Sequence, residues 1–227
     1  MDSTNSTTIY PVRVYRKMLA DLLRPDVRIY FRDFILTASL GWMLFGVALA
    51  VDVAAVKCVA AFVSFFCIFR CFIFMHWIVH LLSEDQKKFK PVFMALIGVP
   101  MLSPLFWYQR SHYLHHSVDT FGTHLDPEYV FFSPVRRLHF VGLVLVSPFL
   151  PFIAALRLGV IGPVSLIIPP LRRYVLLRMA TVSANTKFVS ALPKGGEHLT
   201  WKLEELACAL LIWTLIIGGW SGWIPLS

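Results

Sequence analysis

The chain has 227 residues, 57% of them hydrophobic and 15% aromatic, with a mean hydropathy of +0.68 and a formal net charge of +8. A soluble domain is about 45–50% apolar, and the excess here falls in blocks, which excludes a soluble globular class and points to membrane helices. No recognition motif accompanies the basic residues, so nucleic-acid binding is set aside, and the charge is expected to set topology and meet anionic lipid.

Residues 1–33 are polar and basic, with Arg13, Arg16, Lys17, Arg24, Arg28 and Arg32 before the first apolar block at Phe34. No cleavable signal is apparent, and the segment is expected to be cytoplasmic by the positive-inside rule. The Asn5-Ser6-Thr7 sequon is then incidental. Residues 34–51 and 54–75 are each long enough to cross the hydrocarbon and are joined by a short link, which predicts a helical hairpin. Its second helix returns to the cytoplasm, carries Arg70 near its inner end, and delivers His76 and His80 there. Lys87, Lys88 and Lys90 follow.

Residues 91–107 are shorter and broken by Pro100 and Pro104. A full crossing would put the next histidines on the opposite side from His76 and His80, so a re-entrant segment is expected. Residues 138–156, with Pro148 and Pro151, and residues 158–170 are two further apolar stretches. Arg172, Arg173, Arg178, Lys187 and Lys194 form the next basic patch, so those stretches make either a hairpin or an interfacial pair that returns the chain inside. Residues 206–220 then exit outward, with Trp213, Trp220 and Trp223 fitting interfacial anchors. Cys58, Cys67, Cys71 and Cys208 lie in or beside apolar runs, in no CxxC spacing, and are read as packing residues. The expected fold is all-α: a polytopic membrane protein with a re-entrant or interfacial segment and a cytoplasmic histidine-bearing cap. Residues 1–33 form the basic segment and 34–227 the membrane-embedded domain.

Five of the eight histidines fall in two clusters, His76-Trp77-Ile78-Val79-His80 and His112-Tyr113-Leu114-His115-His116. Residues three and four apart share a helix face, so His76 with His80, and His112 with His115 and His116, can each aim at one point. Imidazole suits iron, zinc, copper and nickel, which makes these five the candidate metal ligands. Ligating imidazoles need an acceptor on the other ring nitrogen, and Glu84, Asp85, Asp119, Asp126 and Glu128 lie close in sequence. His124, Asp126 and Glu128 are candidate additional ligands or supporting groups. A zinc-protease reading fails because that motif places glutamate directly after its first histidine, where this chain has Trp77.

The stretches Arg70-Cys71-Phe72-Ile73-Phe74-Met75-His76-Trp77-Ile78-Val79-His80-Leu81 and 112–129, the second closing on Asp126-Pro127-Glu128-Tyr129, resemble the membrane-bound fatty acid desaturases, bacterial branch. Weaker similarity extends through Leu171-Arg172-Arg173 and from Trp201 to Glu205. The resemblance implies a di-iron catalyst that activates O2 and removes hydrogen from an unactivated acyl CH2. His76 and His80 match first-box ligands, and His112, His115 and His116 match the second box. It also implies an acyl lipid or acyl-thioester substrate in a dry channel, surrounding membrane lipids, and electrons from a ferredoxin-like or cytochrome b5-like donor.

Two departures shape the expectation. The branch usually carries glutamate where Trp77 stands, and the family's third box, another HxxHH, is absent; His124, His139 and His198 are isolated. Two irons want roughly eight ligands, so the pair is expected to be incompletely liganded and the chain a truncated or split member. The leading function is an O2-dependent acyl-lipid desaturase. The alternatives are a non-catalytic homologue (pseudoenzyme or gene fragment) and a sibling hydroxylase acting on a carotenoid, sterol or alkane. Substrate, double-bond position, electron donor and oligomeric state are not encoded legibly.

Overall fold

The computed structural model describes residues 12–19, 26–81, 83–128, 137–181, 185 and 188–221. The sequon at Asn5, Arg24, Tyr129, Lys187 and Trp223 lie outside them. Every regular element among the described residues is helical, and four helical runs are long and apolar enough to cross a membrane: Val27–Ala50, Ala54–His80, Val144–Ile167 and Glu197–Trp220. The protein is an integral membrane protein.

A short helix, α1 (Val12–Met18), lies in the basic segment. Helix α2 (Val27–Ala50) begins seven residues before the apolar block does, because its start is set by a cap: the Asp26 side chain accepts the Arg28 N–H at 2.9 Å. Helix α3 (Ala54–His80) likewise runs past residue 75, so both first-cluster histidines ride on its last turns. The two helices pack closely where Gly41 removes a side chain: a Cβ there would sit 3.0 Å from Ile68 Cδ1 and 3.1 Å from Cys67 Cβ. Ser64 donates to the Gly41 carbonyl at 2.8 Å across the same seam. We expect Gly41→Leu to force α2 and α3 apart at a cost of about 1–3 kcal/mol, read as a lower unfolding midpoint in micelles. An unchanged midpoint would contradict this packing.

Helix α4 (Ser83–Phe93) carries Pro91 and continues into one π turn, Met94–Gly98. The Leu96 carbonyl in that turn accepts from the Trp42 indole at 2.8 Å, which fastens α4's end to α2. The chain reverses over residues 99–104, with Leu102 at φ 51°, and Pro104 starts α5 (Leu105–His115). The segment therefore reverses and brings the chain back to the end of the bundle that it left. Phe34, buried at the centre, meets Phe74, Phe89 and Phe93 with ring centroids 5.3, 5.2 and 5.8 Å away, which joins α2, α3 and α4 into one aromatic core.

Helix α6 (Arg137–Val146), a tight turn Ser147–Phe149, α7 (Leu150–Leu156), a π turn Arg157–Ile161 and α8 (Gly162–Ile167) follow as one nearly unbroken run. The sequence suggested two stretches divided at Arg157. The division does not exist, because the Arg157 guanidinium is neutralised inside the bundle: it bonds Glu205 at 2.5 Å and the Met179 carbonyl at 3.1 Å. The chain turns back only at Ile168, into α9 (Pro169–Arg178). Helix α10 (Glu197–Trp220) starts nine residues earlier than its apolar block. Gly159 packs on Ile212 while Gly162 faces Glu205, so α10 runs antiparallel to that π turn and α8. Trp213 donates to the Gly159 carbonyl at 2.9 Å, whereas Trp220 is almost fully exposed, as an interfacial anchor is.

Two acids of α10 tie this half to the rest. Glu204 pairs with Lys90 of α4 at 2.6 Å and accepts the Phe106 N–H of α5 at 3.1 Å. Pro104 supplies no side-chain cap to α5, so Glu204 satisfies one of its orphan amides from another helix. Glu205 is held between Arg157 and Arg172, each at 2.5 Å. Phe62, Phe65, Phe69, Ile73, Leu210 and Ile217 face outward, the apolar surface that lipid covers.

Candidate metal centre

The α3–α4–α5 path brings both histidine clusters to the same end of the bundle. His76 and His80 lie one turn apart with ring centroids at 4.9 Å and planes tilted by 54°. His112 lies 4.3 Å from His76 and 5.1 Å from His80, centroid to centroid, and its Nε2 is 3.0 Å from His80 Nε2. His116, the residue that ends α5, is 4.4 Å from His112 and 4.8 Å from His80. One ring nitrogen each from His76, His80, His112 and His116 falls within a mutual 4.8 Å.

The five imidazoles expected at a single point are therefore four plus one. His115 stands beside the group, 5.4 Å from His116 and 6.1 Å from His112, with its Nδ1 3.0 Å from both oxygens of Asp126. His124 and His198 are exposed and do not join the four converging nitrogens. His139 lies on α6, and its side chain is outside the described ones.

The carboxylates divide equally plainly. Glu128 accepts from His112 Nδ1 at 3.1 Å, and Asp126 from His115. Asp126 is fully buried and also accepts the Gly122 and Glu128 amides, each at 2.9 Å. Gly122, at φ 69°, takes the left-handed conformation that lets its N–H face the carboxylate. Glu84 and Asp85, expected as partners of the first cluster, do not reach it. Glu84 pairs with Lys87 at 2.8 Å on the exposed first turn of α4, and Asp85 lines a groove with Arg28, Arg32 and Lys88. Trp77, in the position where the bacterial branch has glutamate, stacks on Tyr30 with centroids 3.4 Å apart.

Electrostatics suit a cation. Burial, followed by repulsion from the neighbouring imidazoles, lowers the His112 pKa to about 3, so this ring offers a neutral lone pair at physiological pH. With Nδ1–H directed to Glu128, that lone pair is on Nε2, which faces His80. Burial raises the Glu128 carboxyl above its ordinary range, with Asp126 adding to the rise while the His115 and His116 charges oppose it. For Asp126 burial is the largest influence and also pushes upward, but the Gly122 and Glu128 amides and His115 together hold the carboxyl below its ordinary value. Four imidazoles turned toward one another fit a transition metal and leave it nitrogen ligands of the kind iron accepts.

The family model described as fatty acid desaturase matches residues 53–227. The chain belongs to the fatty acid desaturase family. A curated relative, the ceramide hydroxylase of Caulobacter vibrioides (strain NA1000 / CB15N), is 31% identical over 205 residues, covering 90% of this chain and 58% of that protein. This desaturase-family chain thus spans just over half the length of that relative. No solved structure matches it. Membership places the chain in a family of membrane oxidoreductases. The desaturases use two irons, and the histidine group here has the donor set for such a metal.

Spacing alone exposed the histidines. It did not expose Tyr108, whose hydroxyl lies 3.0 Å from His76 Nδ1 and whose ring stacks on His112 at 4.7 Å. Nor did it expose Glu204 and Glu205, although two adjacent acids leading into an apolar block were a usable signal, since ionisable groups at membrane depth mark paired or functional positions.

Proposed function

We propose that this chain is the O2-dependent, histidine-ligated di-iron part of an enzyme that oxidises an unactivated C–H bond of a long-chain membrane lipid. The observation that carries the reading is the convergence of His76, His80, His112 and His116 within 4.8 Å from two helices 32 residues apart in pairing. His115, oriented by Asp126, is the fifth ligand and the chain's contribution toward the second iron. Bound iron supplies the oxidising power that no side chain has. The protein's own part is to present neutral imidazoles, with Glu128 and Asp126 accepting the N–H of His112 and His115 so that each ring keeps one tautomer.

The relative named ceramide hydroxylase favours hydroxylation of a ceramide-type lipid over insertion of a double bond, which is the hydroxylase alternative with a different lipid. Desaturation of an acyl lipid is the second reading and rests on the family match. By the positive-inside rule the basic segment 1–33 and the histidine end of the 34–227 domain face the cytoplasm, where a ferredoxin-like or cytochrome b5-like donor delivers electrons.

Two measurements test this. Lipids from cells expressing the gene with oxygen and a competent donor should gain a species with one added oxygen; loss of two hydrogens instead would select desaturation, and no new species would reject both. Metal analysis of purified protein should find iron in the wild type and at least a tenfold loss in His112→Ala. Equal iron in the two would remove the histidine group as its site.

A further inference from the structure

We infer that Tyr108 is the positioning residue of His76: its phenol oxygen holds the Nδ1–H, so that Nε2 is the nitrogen left free to bind the metal. The inference deepens the proposed metal site and rests on it. His112 and His115 each have a carboxylate on Nδ1, at 3.1 and 3.0 Å. His76 has a phenol there instead, with Tyr108 Oη at 3.0 Å. A neutral imidazole carries one proton, and a hydrogen bond at one nitrogen decides which nitrogen keeps a lone pair.

Tyr108 is placed to do this by its position on α5. It lies four residues before His112, so the two share a helix face and their rings stack at 4.7 Å with planes 19° apart. That stack fixes the phenol ring against one ligand while the hydroxyl reaches across to α3. Residue 108 is thus a direct link between the two histidine clusters that does not itself use a ligand lone pair, as is Tyr113, whose hydroxyl donates to the Val79 carbonyl at 2.9 Å. The Tyr108 oxygen is a weaker acceptor than a carboxylate, so the Nδ1 side of His76 rests on a neutral bond where His112 and His115 have a charged one.

The test uses purified full-length protein in micelles, with cobalt(II) alone as the probe. Tyr108→Phe keeps the stack on His112 and deletes only the oxygen. Cobalt affinity is expected to fall about 10–100-fold while the unfolding midpoint without metal stays within error. Cobalt-loaded wild type should also show a hyperfine-shifted, slowly exchanging imidazole N–H that disappears in His76→Gln and exchanges rapidly in Tyr108→Phe. Wild-type protein that binds cobalt but lacks such a proton overturns the inference even if Tyr108→Phe fails to fold. Equal affinity in wild type and Tyr108→Phe overturns it too, leaving the metal site standing. A wild type that takes up no cobalt overturns the metal site and this inference together.

Discussion

Replacing Glu205 by leucine is expected to cost about 3–5 kcal/mol of stability, among the largest effects of any single substitution in the described bundle. The carboxylate is 2% exposed and holds Arg157 and Arg172 at 2.5 Å each. Arg157 is itself 3% exposed, and its Nη1 has no hydrogen-bond partner, so without Glu205 the guanidinium keeps only the bond from Nε to the Met179 carbonyl. A buried charge with no counter-charge is far more costly than a buried pair, because desolvation is then offset by nothing. Arg172, being more exposed, can turn toward water. The double variant Arg157→Met with Glu205→Leu removes both buried charges and is expected to recover most of the loss. Thermal unfolding in micelles reads both. A double variant as unstable as Glu205→Leu would mean that shape, and not charge, governs this junction.

Asp126→Asn should be the most damaging conservative change at the metal centre. One oxygen accepts the Glu128 amide and the other the Gly122 amide, and both lie 3.0 Å from His115 Nδ1. Every contact is a donor aimed at a fully buried carboxylate. Whichever way an asparagine amide is turned, its NH2 meets an N–H, so at least one donor is left unpaired at a cost of about 1–3 kcal/mol. Metal affinity should fall about 10–100-fold as the charged acceptor that locks the His115 tautomer becomes a neutral amide. The pH dependence has a definite sign. The fold lowers the Asp126 pKa below its ordinary 3.8, so its contribution is complete above that value and is lost as pH falls through the lowered one. Unfolding midpoints measured from neutral pH down past 3.8 should therefore converge for wild type and Asp126→Asn at the acid end. Parallel curves throughout would show that the Asp126 charge carries none of the difference.

How much of this was legible beforehand can be seen in single residues. The histidine faces were, since i, i+3 and i, i+4 spacing acts within one or two turns of one helix. The reversal of the chain between the clusters was as well, because Pro100 and Pro104 interrupt an apolar block and both clusters had to share a side. The bounds of the spans were not. Apolar content ends a block at Phe34, but the helix ends where a cap satisfies its amides, at Asp26. Residues 138–156 and 158–170 were read as two stretches, because the counter-charge of the Arg157 between them is 48 residues away on α10. His115 was expected at the same point as the other four, and its ring stands beside them, 5.4 Å from His116 and turned to Asp126, because spacing on a helix face does not set where each ring nitrogen points.

By itself the sequence determined that this protein is a helical membrane chain with two histidine-bearing turns and a desaturase-like pattern around them, since hydropathy and helical period are properties of neighbouring residues. Only the tertiary structure decided which histidines meet, that Tyr108 and Glu128 attend them, and that Glu204 caps the second cluster's helix from 98 residues away. Those choices are made by packing and by pairing buried charge across the bundle, and such contacts leave no periodic trace along the chain.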